Sequence, residues 1–325
     1  MKVFVTGGAG YIGSVVSIAL INAGHTVTVF DNLSKGYRQA IPSQATFIQG
    51  NIADRAALDD AFSKKQYDAI IHFAAFIEAG ESMQYPGEFF RNNVTGSMTL
   101  IEAAAVYGIP KIVFSSSAGV YAGKDAPLTE GDPIAPANVY GQTKRMIEQT
   151  LEWYHRIHEL RFAALRYFNA AGALPPHHGE SHNPESHLIP LILQVPLGKR
   201  AKVYIYGDDY PTPDGTCIRD YIHIHDLAQA HILALDALDE HPNLICNLGN
   251  GAGYSVKEVI ETARSVTGHD IPVKVTPRRP GDAPMLVADA SRARRLLNWE
   301  PRIPSLHDIV ASAWEWHRTH PNGYE

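Results

Sequence analysis

Cysteine is almost missing from this chain of 325 residues: Cys217 and Cys246 are the only two, and they form no Cys-x-x-Cys pair. That excludes a disulfide framework and a zinc ribbon, and it fits a reducing cytoplasm. A basic excess is also missing, since 28 Lys plus Arg face 34 Asp plus Glu, a formal charge of −6. Binding along a phosphate backbone needs the opposite balance, so no nucleic-acid partner is expected. No run reaches the roughly 18 apolar residues of a membrane span. Met1-Lys2-Val3-Phe4-Val5 meets a glycine cluster at Gly7, too soon for the apolar part of a secretory leader. The expectation is a soluble, cytoplasmic protein. Repeats and low-complexity tracts are absent too.

What is present suits a large globular chain. Apolar residues make up 45% and charged residues 19%, enough to bury sizeable cores. At about 150 residues per domain, the length suggests two domains. In the first half, short apolar runs alternate with segments of helical spacing. Val3 to Thr6, Val27 to Phe30, Ala69 to Phe73, Ile112 to Ser115 and Phe162 to Tyr167 are β-branched or aromatic and lack polar alternation. Such runs are buried on both faces. Between them, Ser14 to Ala23, Val94 to Tyr107 and Tyr140 to Leu160 are expected helices. In the last, Ile147, Leu151, Tyr154 and Ile157 make one stripe.

Strand–helix alternation implies right-handed crossovers and a doubly wound parallel sheet, with ligands beyond the strands' carboxyl ends. Asn169 to Pro190 is expected to be a long ordered loop, of a length that is often functional. Leu244 to Leu248 is a further strand, returning to the first domain. Ser255-Val256-Lys257-Glu258 and Ser305-Leu306-His307-Asp308 match helix-start boxes. The expected division is residues 1–168 as a Rossmann-type dinucleotide domain and 169–325 as a smaller α/β substrate domain.

The first strand leads into Gly7-Gly8-Ala9-Gly10-Tyr11-Ile12-Gly13 and then a helix. Glycine allows the tight turn and lets a pyrophosphate approach the helix N-terminus. Asp31 closes the second strand, where a carboxylate accepts from ribose hydroxyls and repels a 2′-phosphate. NAD is therefore expected rather than NADP.

Tyr140 and Lys144 lie one helical turn apart on one face. A phenol with a pKa of about 10 is a poor base, but a neighbouring ammonium and a positive nicotinamide both favour its ionised form. A drop of about 3 units corresponds to about 4 kcal/mol. Ile112-Val113-Phe114 runs into Ser115-Ser116-Ser117 at a strand's carboxyl end. Ser117 is the candidate for chemistry, with the other two serines read as a turn or capping cluster.

These segments together, with the His72-Phe73-Ala74-Ala75 run, resemble the extended short-chain dehydrogenase/reductase superfamily. Four more narrow the likeness: Arg166-Tyr167-Phe168-Asn169; Tyr210-Pro211-Thr212 with Asp214-Gly215-Thr216; Arg219-Asp220-Tyr221-Ile222-His223; and Arg278-Arg279-Pro280-Gly281-Asp282. The set spans nearly the whole chain and is similar to the UDP-hexose 4-epimerases. The resemblance implies bound NAD, with Tyr140 as base on the sugar 4-hydroxyl, Lys144 supporting it and Ser117 relaying the proton. It implies a cofactor site of Gly7, Gly10, Tyr11, Ile12, Gly13, Asp31, Asn32, Asn51, Ile52, Phe73, Ala74, Asn93, Tyr140, Lys144 and Phe168. It implies a UDP-hexose site of Ser117, Tyr140, Asn169, His187, Leu188, Tyr204, Tyr206, Arg219, Arg279, Asp282 and Leu286. A homodimer is implied as well, formed by the helices around Val94 to Tyr107 and Met146 to Leu160, whose apolar stripes could equally be core.

Several positions depart from relatives. Asn51 stands where many carry Asp facing adenine, its amide oxygen still able to make that bond. Ile77 replaces a lysine, Gly119 a Thr or Ser, and His187 an Asn. Leu286 replaces a tyrosine, and its smaller wall opens room for N-acetylated sugars. Competing readings are a nucleotide-sugar 4,6-dehydratase, a 4-ketoreductase and a non-catalytic NAD-binding regulator. A dehydratase needs an acid after the serine run, where this chain has Ala118-Gly119. A regulator has no need of Ser117, Tyr140 and Lys144 together. His177, His178, His182 and His187 crowd one loop without helix-face ligand spacing; they are read as solvated, and no metal is expected.

Overall fold

The computed structural model describes residues 1–279 and 282–324, so Pro280, Gly281 and Glu325 lie outside the described residues. Strand and helix alternate as β1 (Lys2–Thr6), β2 (Thr26–Asp31), β3 (Thr46–Gln49), β4 (Ala69–His72), β5 (Lys111–Ser117) and β6 (Arg161–Tyr167). Three short strands follow: β7 (Asn169–Ala171), β8 (Val203–Tyr206) and β9 (Ile218–His223). The chain then returns with β10 (Asn243–Leu248). The main sheet has seven strands in the order β10-β6-β5-β4-β1-β2-β3, and every pairing in it is parallel. The order reverses at β1. That opens a crevice above the carboxyl ends of β1 and β4, the place where such sheets hold ligands.

Successive side chains of a strand point to opposite faces. Here both faces are apolar. Val3 and Val5 enter a core with Val15, Leu20, Leu227, Leu235 and Trp299. Phe4 enters the opposite core with Phe30, Ile70, Leu100, Phe114 and Leu151. A strand covered on both sides has no use for polar alternation, which is why these runs read as continuous. Each fully buried side chain of this size contributes about 1.5–3 kcal/mol relative to exposure.

Other boundaries shift for local reasons. β3 was not expected; it is a four-residue edge strand, half exposed, with too little apolar content to stand out. The first helix spans Tyr11–Asn22 and starts inside the glycine turn. The segment expected at Val94 to Tyr107 opens as a π turn over Phe90–Thr95 before the helix Gly96–Val106. The helix that carries Tyr140 and Lys144 runs Val139–His158 and is capped by Asn138, whose side chain accepts from the Gly141 amide. Of its expected stripe, Ile147 and Leu151 are buried, but Ile157 is 66% exposed. All buried residues of this twenty-residue helix lie between Gly141 and Leu151, so its last two turns project beyond the core.

The second lobe is built from smaller pieces. β9 pairs with β7, with β11 (Gly253–Ser255) and with β13 (Met285–Leu286), while β12 (Val273–Thr276) pairs with β8. Its own core gathers Ile189, Ile192, Val203, Ile205, Val259, Ile309 and Val310. The Ser255 box forms as expected, with Ser255 and Glu258 each satisfying the other's amide. Ser305 caps the last helix through the Asp308 amide. The loop from Asn169 gives up its first residues to β7, and Leu188 already starts the helix Leu188–Leu193.

Candidate active site

A cleft of about 340 Å³ lies over the carboxyl ends of the main sheet, and the glycine turn forms its floor. Gly7 has φ of +71°, and a Cβ there would sit 2.6 Å from the Ala74 amide nitrogen. A Cβ on Gly13 would run into the Gly7 carbonyl. These two glycines are thus required by the protein's own backbone, whereas at Gly10 a Cβ would meet only the Gly7 carbonyl oxygen, at 3.3 Å. Gly10 caps the first helix with no side chain, so the first-turn amides stay free for an anion. Asp31 accepts from the Ala9 amide at 3.0 Å and the Leu33 amide at 2.8 Å. Burial nevertheless raises its pKa, the two hydrogen bonds pulling the other way.

Gly7, Gly10, Tyr11, Ile12, Gly13, Asp31, Asn32, Asn51, Ile52, Phe73, Ala74 and Phe168 all line this cleft. A bare helix end, an acid at the second strand and an apolar slot at Phe73 and Ala74 fit a dinucleotide without a 2′-phosphate. Two expected cofactor residues stand elsewhere. Asn93 is fully buried behind the wall, where it holds the Phe76 backbone and donates to Thr143 Oγ1 at 3.1 Å. Lys144 is 1% exposed and also sits behind the wall. The Asn51 oxygen accepts from the Ala53 amide at 2.9 Å.

Ser117 and Tyr140 close one end of the cleft. Lys144 lies one turn along the helix, donates to the Ser115 carbonyl at 2.7 Å and places its ammonium 5.7 Å from the Tyr140 ring centre. The electrostatics correct the sequence reading. Burial pushes the Tyr140 hydroxyl up to about 12; its hydrogen bond with Ser117 lowers it and the Glu78 charge raises it further. Burial likewise holds Lys144 down to about 7, against the pull of Glu148. Desolvation outweighs the neighbour effect that the spacing suggested, so the protein's own groups leave a protonated phenol.

The three serines divide their work differently from a turn cluster. Ser115 pairs its hydroxyl with Tyr167, Ser116 donates to Glu148 at 2.6 Å, and Ser117 accepts from the Gly119 amide at 3.0 Å. Sequence reasoning missed Glu148. It lies one turn beyond Lys144, fully buried, and takes two bonds of 2.8 Å from Arg166, whose third arm reaches Tyr121 at 2.8 Å. The spacing Tyr140, Lys144, Glu148 was the available signal.

The expected substrate residues fall into two groups. Asn169 and His187 line the cleft, Asn169 donating to the Asp220 carbonyl at 2.9 Å. Leu188, Tyr204, Tyr206, Arg219, Arg279, Asp282 and Leu286 are not among its walls. Five of these nonetheless meet around β9. Arg219 bonds the Ala283 carbonyl at 2.9 Å and faces Asp282 at 3.9 Å. Arg279 bonds Asp282 at 3.0 Å and covers the Tyr206 ring. Leu286 packs beside Ala118 and Phe168. Of the motif around Asp282, Pro280 and Gly281 lie outside the described residues.

Of the four loop histidines His177 is exposed as expected, but the others depart from that reading. His178 is buried, and His182 and His187 face Glu180 and Glu185 at 2.9–3.5 Å. Reading histidines alone passed over the glutamates interleaved with them.

With the cleft and its phenol in view, the comparisons decide the family. Residues 3–249 match the NAD dependent epimerase/dehydratase family. The chain belongs to it. Its sequence is 50% identical to a UDP-glucose 4-epimerase of Halalkalibacterium halodurans, over 100% of this chain and 98% of that one. A crystal structure of a UDP-glucose 4-epimerase superposes with a TM-score of 0.97 at 45% identity, covering both chains fully. Another, from Bifidobacterium longum in complex with NAD+ and UDP, gives 0.94 at 37% identity, over 99% of this chain and 100% of that one. Among the described residues, no helix is long and apolar enough to cross a membrane.

Proposed function

We propose that this chain interconverts UDP-glucose and UDP-galactose by inverting C4 of the hexose, with NAD as resident cofactor. One observation carries the reading: Tyr140, in contact with Ser117 and one turn from Lys144, opens onto the same cleft as the Asp31 glycine turn. When bound, NAD supplies the hydride acceptor for C4, returns that hydride, and adds a positive ring charge. Asp31 and Asn32 hold the adenosine ribose, with Asn51 and Ile52 at adenine. Tyr140 takes the proton of the sugar 4-hydroxyl and later gives it back, while Ser117 relays it. Lys144 stabilises the ionised phenol from behind.

Arg219, Arg279 and Asp282 hold the UDP part, the arginines suited to its diphosphate by their planar fork. Asn169, His187, Leu188, Tyr204 and Tyr206 complete that end. A firmly held UDP and a loosely held hexose let the keto sugar present its other face. Ala118-Gly119 offers no acid, which favours epimerisation over dehydration. A methyl at Gly119 would press on Ser117 Oγ at 3.3 Å, so glycine there leaves room beside the hydroxyl. The test is conversion of UDP-glucose by NAD-loaded protein with no added electron acceptor. Folded, loaded protein that converts none defeats the reading.

Two copies pair through the helices Gly96–Val106 and Val139–His158, and the enzyme works in the cytoplasm with both cysteines reduced. Met98 and Trp153 are 50% and 59% exposed and Val106 and Ile157 more so, large apolar side chains on these two helices that a second copy would cover. Sedimentation of the wild type gives twice the chain mass, and Trp153→Glu gives the monomer.

A further inference from the structure

Four donor side chains converge in the loop before Leu188. Glu180, His182, Glu185 and His187 each offer one ligand atom, and these atoms all lie within 4.8 Å of one another. His187 Nδ1 is 2.9 Å from Glu180 Oε1 and 3.0 Å from Glu185 Oε1. His182 Nδ1 is 3.2 Å from Glu180 Oε1 and 3.5 Å from Glu185 Oε2. A tetrahedral ion with bonds of about 2.0–2.1 Å spaces its ligands about 3.3–3.4 Å apart, within that range.

His182 separates a ligand set from an ion-pair network. Its Nδ1 is buried and makes no hydrogen bond, although carboxylate oxygens of two different residues stand near it. A protonated ring aims its N–H along one acceptor. A nitrogen set between two acceptors and bonded to neither points at a shared centre. The glutamate side chains are only 5% and 7% exposed, so their charge needs compensation at close range. A single divalent cation with two neutral imidazoles supplies it.

We propose that Glu180, His182, Glu185 and His187 bind one divalent transition-metal ion of the zinc type. Mixed nitrogen and oxygen donors suit that class; calcium and magnesium take oxygen alone. Four protein ligands close the coordination shell, which makes the role structural. The ion pins the loop where Glu180, His182 and His187 form part of the cleft wall. Because His187 uses Nδ1, its Nε2 stays available to the nucleotide. The site does not depend on the epimerase reading, since its test reads binding and stability.

The full chain is stripped with a chelator and titrated with Zn2+ in a calorimeter, and thermal unfolding is followed with and without one equivalent. One ion binds with micromolar or tighter affinity, Tm rises, and equimolar Mg2+ changes neither. Co2+ in its place gives the visible absorption of a tetrahedral site. His182→Ala and Glu185→Gln, checked for native circular dichroism, weaken Zn2+ binding by more than the about 10–100-fold that loss of an outer-shell partner costs. No saturable binding, no tetrahedral Co2+ spectrum in the wild type, or unchanged affinity in both folded variants overturns the site.

Discussion

The two ends of the substrate path are held by different physics. At the cofactor end, backbone does most of the shaping: Gly7 and Gly13 are fixed by their own neighbours, and the strands beneath them are buried on both faces. At the proposed UDP end, long side chains hold one another: Arg279 on Asp282, Arg219 across from the same acid, with Asp282 a quarter exposed. A backbone cradle tolerates almost no change. A side-chain clamp on a half-exposed rim yields gradually, since each charge-assisted bond contributes about 1.5–3 kcal/mol.

The sharpest way to break this contrast is Tyr140→Phe. It is expected to lower kcat by about 10²–10⁴-fold while UDP affinity stays near wild type, as steady-state kinetics and calorimetry would show. An unchanged rate removes the phenol from the mechanism. Next comes Gly13→Ala, which drives a methyl into the Gly7 carbonyl. Purified variant should carry little NAD by absorbance and fluorescence; full occupancy would mean that the turn adapts.

At the other end, Arg219→Ala should raise KM for UDP-glucose by about 10–100-fold with kcat much less affected, the value of one charge-assisted contact. A fall in kcat alone would place Arg219 with the reacting sugar instead. Leu286→Tyr is expected to cut turnover of UDP-N-acetylglucosamine by about 10–200-fold relative to UDP-glucose, the range for one filled pocket wall. Equal loss on both sugars refutes the wall argument.

The smallest effect concerns pH. Asp220 of β9 accepts from the backbone amides of Asn250, Gly251 and Ala288, yet burial pushes its carboxyl up to about 6. An acid raised on folding stabilises most below its unfolded pKa near 4, and that contribution is lost as pH rises through 6. Denaturant unfolding between pH 4 and 6 should show this slope, flattened in Asp220→Asn.

Much of the nucleotide half could be read directly. The buried strands announced themselves, and the helix of Tyr140 and Lys144 followed from spacing. β3 escaped because a half-exposed edge strand carries little apolar signal. Glu148 escaped because a lone acid in a helix normally faces water, and only the arrival of Arg166 from β6 makes its burial tolerable. The proposed substrate end rested on resemblance alone: Arg219 lies some sixty residues before the Arg279–Asp282 segment, and no period links the two.

The sequence by itself determined the layered sheet, the glycine turn and the acid at the end of the second strand. Their signals are local, an apolar run, a glycine spacing and an acid at a strand's end, although the contacts that realise them join segments far apart in sequence. Only the tertiary structure decided the state of Tyr140, raised by burial where spacing promised the reverse, and the meeting of two histidines with two buried glutamates. Desolvation depends on everything packed around a group, and no local pattern of residues carries that sum.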